Sequence, residues 1–160
     1  MIDIGELDNL IRKFDNASRN LRPFMGEVLE DMGDEFLDIV QEEIMRAKNV
    51  DTRLLLSSFS RGSEYNVYEL DLGGLTLEIG TRVKYAKWVN DGHRQQPGRF
   101  VPGVWRGDRF QYVPGAKTGM VLKASFVAGS HFFDKSVEVL KRMFPEMAEA
   151  KFQQFISRYF

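Results

Sequence analysis

The sequence predicts an α+β fold: a long N-terminal helix and a C-terminal helix packed on a small, mostly antiparallel β-sheet, with a long basic loop. Three observations carry this reading. Apolar residues recur at three- and four-residue steps from Phe24 to Val40, the spacing that gathers them on one helix face. Two runs alternating apolar with polar residues flank Gly73-Gly74, the pattern of a β-hairpin. From Gly92 to about Lys123, glycines and prolines punctuate a stretch of Arg, Lys and aromatic residues, which reads as a loop. With 160 residues, 43% of them apolar and 13 of them Phe, the chain has the size of one domain, 1–160, and material for one buried core.

Taken in order, Leu7, Leu10, Ile11 and Phe14 sit at helical spacing and predict a short amphipathic helix over Ile4 to Phe14. Pro23 suits the first turn of a second helix, whose apolar face (Phe24, Met25, Val28, Leu29, Met32, Phe36, Ile39, Val40) carries it to about Lys48. Asp51 and Thr52 can cap a short helix over Arg53 to Phe59, which Gly62 and Ser63 end. The hairpin follows, with Tyr65, Val67, Tyr68, Leu70 and Leu72 before the glycine pair and Leu75, Leu77 and Ile79 after it. Its Glu69 and Glu78 face water while the aliphatic side packs on the long helix. Tyr85 to Val89 is an apolar patch of about one helical turn, ending at Asn90-Asp91-Gly92. The loop 92–124 is expected to be mobile, since about thirty structureless residues are uncommon in a compact domain unless they bind something. A hairpin around Arg106-Gly107-Asp108-Arg109 is plausible within it. Ser130 can cap the last helix from His131; Pro145 kinks or restarts it, and Met147, Phe152, Phe155 and Ile156 continue its apolar stripe.

Charge is distributed unevenly. Residues 1–48 hold 12 Asp and Glu against 6 Lys and Arg, whereas residues 81–126 hold 9 Lys and Arg against Asp91 and Asp108. Such complementary segments steer subunits head to tail or aim a basic loop at a polyanion. Cysteine is absent, which excludes disulfides, thiolate metal sites and cysteine nucleophiles. The opening MIDIGELDNL has neither a basic head nor an apolar run, so the sequence reading expects no signal peptide and no membrane contact.

Catalytic readings fare poorly. His93 lies two residues from Asp91, a separation that seldom gives the geometry of a base and its orienting acid, and no nucleophile motif surrounds Ser57, Ser58 or Ser130. His93 and His131 lack the spacing of a metal site, and no phosphate-binding glycine motif occurs; no cofactor is expected. The combination of cationic residues with Phe100, Trp105, Phe110 and Tyr112 suits either phosphate contacts with base stacking or anchoring on a protein partner. Partner binding is favoured because no nucleic-acid fold signature accompanies the loop.

The segments TRLLLSSFS (Thr52 to Ser60), LEIGTRVKYAKWVNDGHR (Leu77 to Arg94) and FVAGSHFFDKSVEVLKRMFPEMAEAKFQQFI (Phe126 to Ile156) resemble the bacteriophage family of tail-completion or head-tail joining proteins named after the tenth gene product of a lambda-like phage. The matching positions are Leu55 and Ser58, Ile79 to Ala86, Gly92 and His93, and Gly129 to Phe133; the longer loop Gln95 to Ala124 and the pair Asn90-Asp91 depart from the family pattern. The resemblance implies a structural virion protein without catalysis. It would assemble in the host bacterial cytoplasm into a ring of six subunits and reside in the neck or tail between connector and tail-tube proteins, with DNA passing through the lumen. On that expectation the partner-binding residues are His93, Arg94, Arg99, Phe100, Trp105, Arg106, Arg109, Phe110 and Tyr112. The acidic face offered to a neighbouring subunit is Glu27, Asp31, Asp34 and Asp38.

Overall fold

The computed structural model describes residues 4–48 and 53–160. In chain order the elements are α1 (Ile4–Arg46), α2 (Leu54–Ser57), β1 (Asn66–Asp71), β2 (Thr76–Thr81), α3 (Ala86–Asp91), β3 (Gly92–Arg94), β4 (Phe100–Arg106), β5 (Arg109–Tyr112), β6 (Gly119–Val121), β7 (Phe126–Ala128) and α4 (Phe132–Tyr159). Strand pairing among the described residues is antiparallel throughout. The α+β class therefore holds, with the strands divided among three small sheets, β1-β2, β3-β7 and β5-β4-β6. The chain resolves into two units: a helical unit of the described residues up to Ala86 together with Phe132–Phe160, and a β unit, Lys87–His131. The expected capping of α2 by Asp51 or Thr52 lies outside the described residues.

The two N-terminal helices read from the sequence are one. α1 runs 43 residues with Pro23 inside it, although an interior proline costs an isolated helix about 3 kcal/mol. Packing on both sides of Pro23 outweighs that cost. Ala17 before it and Phe24 and Val28 after it are buried in one cluster with Phe155 of α4, and the Phe24 and Phe155 rings lie 4.5 Å apart. Each large apolar side chain so buried contributes about 1.5–3 kcal/mol. Arg19 and Pro23 are exposed, so the carbonyl that loses its donor can turn to water. α4 likewise continues through Pro145 without restarting.

Farther along α1, Phe36, Leu37, Val40 and Ile44 are buried with Leu55, Phe59 and Phe132. Phe36 meets Phe133 edge-on at 5.4 Å, and Phe59 meets Phe132 at 6.0 Å. The Leu-x-x-Ser segment belongs to this core. Ser58 is fully buried; its hydroxyl donates to the Leu55 carbonyl at 2.7 Å and accepts from Thr81 at 2.8 Å. α2 is shorter than expected, and it begins after Arg53 in a left-handed conformation at φ 60°.

The β1-β2 hairpin pairs as the alternation requires, with Tyr68 opposite Ile79 and Leu70 opposite Leu77 on the inner face and the exposed Glu69 opposite Glu78 on the other. Two glycines of α1 seat it. A Cβ on Gly26 would come within 2.4 Å of Leu72, and one on Gly33 within 2.4 Å of Leu77 and 2.7 Å of the Tyr68 hydroxyl. Arg22 clamps the turn by donating to the Leu72 and Gly73 carbonyls at 3.0 and 2.7 Å.

In the β unit, the stretch read as a loop is strand. β4 is the centre of a three-stranded sheet, paired on one side with β5 and on the other with β6; the hairpin expected at Arg106 to Arg109 is present, with those two residues opposite one another. The glycines that suggested a loop instead make the turns. Gly98, Gly107 and Gly115 all have φ between +60° and +81° and open space where a side chain would stand, a conformation glycine adopts at no steric cost.

Candidate interaction surface

The β unit exposes its cationic and aromatic residues together. Cross-strand partners share a face of a sheet. The register therefore places Val101, Trp105, Phe110, Tyr112 and Met120 on one face, and Phe100, Val104 and Val121 with Arg106 and Arg109 on the other. Antiparallel sheets commonly bury one face and present a polar one to water; here both faces are largely apolar. Trp105 and Tyr112 are 58% and 60% exposed on the first face, Phe100 and Val121 49% and 59% on the second. The aromatics are nonetheless ordered against their neighbours. Phe110 crosses Trp105 at 5.3 Å between centroids and lies where a Cβ on Gly103 would stand, while Phe100 does the same over Gly119, so each glycine is the seat of a ring.

Electrostatics follow from the strand layout. Arg106 and Arg109 stand opposite each other at the hairpin tip, a like-charge pair that costs stability unless something anionic is nearby. Among the described residues, Arg94, Arg99, Arg106 and Arg109 have no ion-pair partner in the chain, and all four are exposed. His93 sits in β3 opposite Val127, its ring 6.3 Å from that of Trp88. The Asp91 carboxylate, which a dyad would need at His93, accepts from Asn90 Nδ2 at 2.7 Å. Gly92, at φ +81°, turns the chain from α3 into β3 at a point where a Cβ would strike the Val127 carbonyl at 2.4 Å.

The acidic residues of α1 are placed differently from one another. Asp31 is ion-paired with Lys151 of α4. Asp34 accepts from Arg61 at 3.1 Å, and the same guanidinium reaches Glu30 at 2.9 Å while lying 4.3 Å above the Tyr68 ring. The hydrogen bond to Glu30 raises the Arg61 pKa above its ordinary value. Partial burial first, then the Asp34 charge, push the Tyr68 hydroxyl up to about 12; that hydroxyl donates to the Glu30 carbonyl at 3.0 Å. Glu27 and Asp38 are exposed and have no ion pair among the described residues. Half of the expected acidic contact face is thus engaged within the chain.

Sequence reasoning passed over Trp88 and Phe126, which are 60% and 62% exposed. A signal for Trp88 was available: with Tyr85, Ala86 and Val89 on the inner side of one helical turn, residue 88 falls outside that set. No group of three or more His, Asp or Glu among the described residues is arranged to hold a metal ion. No described helix is long and apolar enough to cross a membrane.

A small sheet apolar on both faces and tipped with unpaired arginines, together with a well-packed helical unit, defines an α+β protein with exposed apolar and basic surfaces. Comparison with known proteins supplies the family. The profile described as "Bacteriophage HK97-gp10, putative tail-component" matches residues 8–92. The "Uncharacterized protein YqbI" of Bacillus subtilis (strain 168) is 46% identical over 165 aligned residues, 98% of this chain and 99% of that protein. The "Phage-like element PBSX protein XkdI" of the same strain is 41% identical over 132 residues, 81% of this chain and 82% of that protein. No solved structure matches. The chain belongs to the HK97-gp10-like family of bacteriophage tail components.

Proposed function

We propose that this tail component acts at the phage neck: a non-catalytic protein that assembles into a ring, of six subunits, and completes the tail or joins it to the head between connector and tail-tube proteins. One observation carries the reading beyond family membership. In the β unit Gly103 alone is buried among the described residues, so this segment has no fully buried apolar side chain of its own, while its arginines have no intramolecular acid. A 45-residue segment of two- and three-stranded sheets gains too little from burial to be rigid on its own, and it completes its packing on a partner. The residues that grip are His93, Arg94, Arg99, Phe100, Trp105, Arg106, Arg109, Phe110 and Tyr112; the β unit is mobile in the free chain and orders on assembly.

Light scattering and negative-stain electron microscopy of the purified chain, with binding to isolated tails and connectors, test this. Rings, or binding to either partner, are expected; a monomer at every concentration that binds neither would sink the idea. A second reading, contact with double-stranded DNA, is favoured by the four unpaired arginines beside exposed Trp105 and Phe100. It requires a salt-dependent gel shift that disappears when Arg94, Arg99, Arg106 and Arg109 are neutralised.

A further inference from the structure

Besides the sheet, the start of α1 exposes an apolar feature. In the first turns of α1, Leu7, Leu10, Ile11 and Phe14 are 45% to 59% exposed along one helix face. The α1–α4 seam reaches Phe14, whose ring meets that of Phe160 at 4.9 Å, and Leu7, Leu10 and Ile11 continue the stripe beyond it. On a helical wheel the stripe is bordered by Asp8 and Asp15 on one side and by Glu6 and Lys13 on the other, with Arg12 and Arg19 behind. Lys13 donates to the Phe160 carbonyl at 3.4 Å, so the charges left at the stripe's edge are acidic.

We infer that this stripe is the seat of the β sheet of a neighbouring copy: Leu7, Leu10, Ile11 and Phe14 of one subunit cover the sheet face of the next that carries Phe100, Val104 and Val121, and Asp8 and Asp15 meet Arg106 and Arg109 on that same face at its tip. Three observations support this occupant. Both features are exposed on the isolated chain, apolar at the centre and opposite in the sign of their charged margins. Their lengths agree, since Leu7 to Phe14 rises ~10 Å along a helix and Phe100 to Val104 ~13 Å along a strand. They are also different surfaces, so the contact is heterologous, the kind that closes into a ring rather than stopping at a two-fold dimer. The inference rests on the ring reading and replaces the mid-helix acidic face as the neighbour's contribution, Asp31 and Asp34 being already paired.

The experiment uses the full chain and two charge-reversed variants, Asp8→Lys/Asp15→Lys and Arg106→Glu/Arg109→Glu, each confirmed by circular dichroism to fold as the parent does, with oligomer size followed by sedimentation velocity. Each variant alone is expected to weaken assembly at least about tenfold. Mixed, the two restore assembly with the variants alternating, since the Arg sheet of one meets the Asp stripe of the other and the reversed Glu sheet meets the reversed Lys stripe. Combining all four reversals in one chain restores assembly. If both variants still assemble as the parent does, the inference is wrong while the ring reading stands. If the stripe variant alone loses assembly and the mixture does not regain it, the stripe does not meet the sheet and the inference is again wrong. If the parent never assembles, both readings fall.

Discussion

The helical unit and the β unit differ in what holds them. All 14 buried hydrophobic side chains among the described residues belong to the helical unit, and its Asp31, Glu30 and Asp34 are matched by Lys151 and Arg61. The β unit has 7 Lys and Arg against 2 Asp and Glu, leaving 15 against 21 for the rest of the chain, net charges of +5 and −6. The comparison separates residues buried in a core from residues left exposed and unpaired, and the second set is where a partner is to be sought.

The sharpest way to break this comparison is to truncate one aromatic in each unit. Phe59 is 1% exposed and sits between Phe132 and Phe133, so Phe59→Ala removes a core ring and is expected to cost about 3–5 kcal/mol in urea unfolding. Trp105 is 58% exposed and touches Phe110; Trp105→Ala is expected to cost the free chain under about 1 kcal/mol while weakening assembly at least about tenfold. Equal destabilisation by the two substitutions would show that the β unit is a folding core after all. Hydrogen exchange offers an independent check. Amides of β4 to β6 should open at lower free energy than those of α1 in the free chain, and become protected on assembly.

Much of the helical unit was legible because its periodicities are local: 3.6-residue spacing marked α1 and α4, and alternation around Gly73-Gly74 marked the hairpin. The joining of the first two helices across Pro23 was not legible, since the packing that outweighs the proline comes from Phe155, more than a hundred residues away. The pairing of Asp31 and Asp34 is not legible for the same reason; their partners, Lys151 and Arg61, are distant in sequence. In the β unit the misreading was of another kind. Turn glycines and short strands of three to seven residues look the same, in one sequence, as a loop rich in glycine. The composition of the surface, arginines among aromatics, was legible without any fold.

Next in size come two glycines that sharpen how the helical unit is locked. A Cβ at either Gly26 or Gly33 would stand 2.4 Å from a leucine methyl of the hairpin, yet the two positions should respond with opposite signs. At position 26 the obstructing Leu72 is 47% exposed and can swing into solvent, so Gly26→Ala is expected to be neutral or to gain up to about 1 kcal/mol from helix propensity. At position 33 the Tyr68 hydroxyl also obstructs, and that ring is held by its bond to Glu30 and by the Arg61 guanidinium. Gly33→Ala is therefore expected to cost about 1–3 kcal/mol. Thermal melts of the two variants decide it; a stabilised Gly33→Ala would mean the hairpin is loosely seated and the contrast between the units overstated.

The smallest effect concerns the same tyrosine. Its pKa stands at about 12 in the folded chain against an ordinary value near 10. Because the neutral hydroxyl is the form that donates to the Glu30 carbonyl, the stability it contributes is whole below pH 10. It is lost as the pH rises from 10 through 12, where the unfolded chain has released a proton that the folded chain retains. Partial solvent access screens the effect to no more than about 1 kcal/mol. Tyr68→Phe should be less stable than the parent at neutral pH by the missing hydrogen bond and should lose less stability above pH 10. The β unit supplies the contrast in salt rather than in pH: pairing of Arg106 and Arg109 with a partner should weaken steeply with ionic strength, whereas an alkaline loss of monomer stability governed by one partly buried hydroxyl should barely respond to it. If salt shifted the Tyr68-dependent loss as strongly as it shifts assembly, the helical unit's charges would be as open to solvent as those of the β unit, and the distinction between paired and unpaired halves would fail.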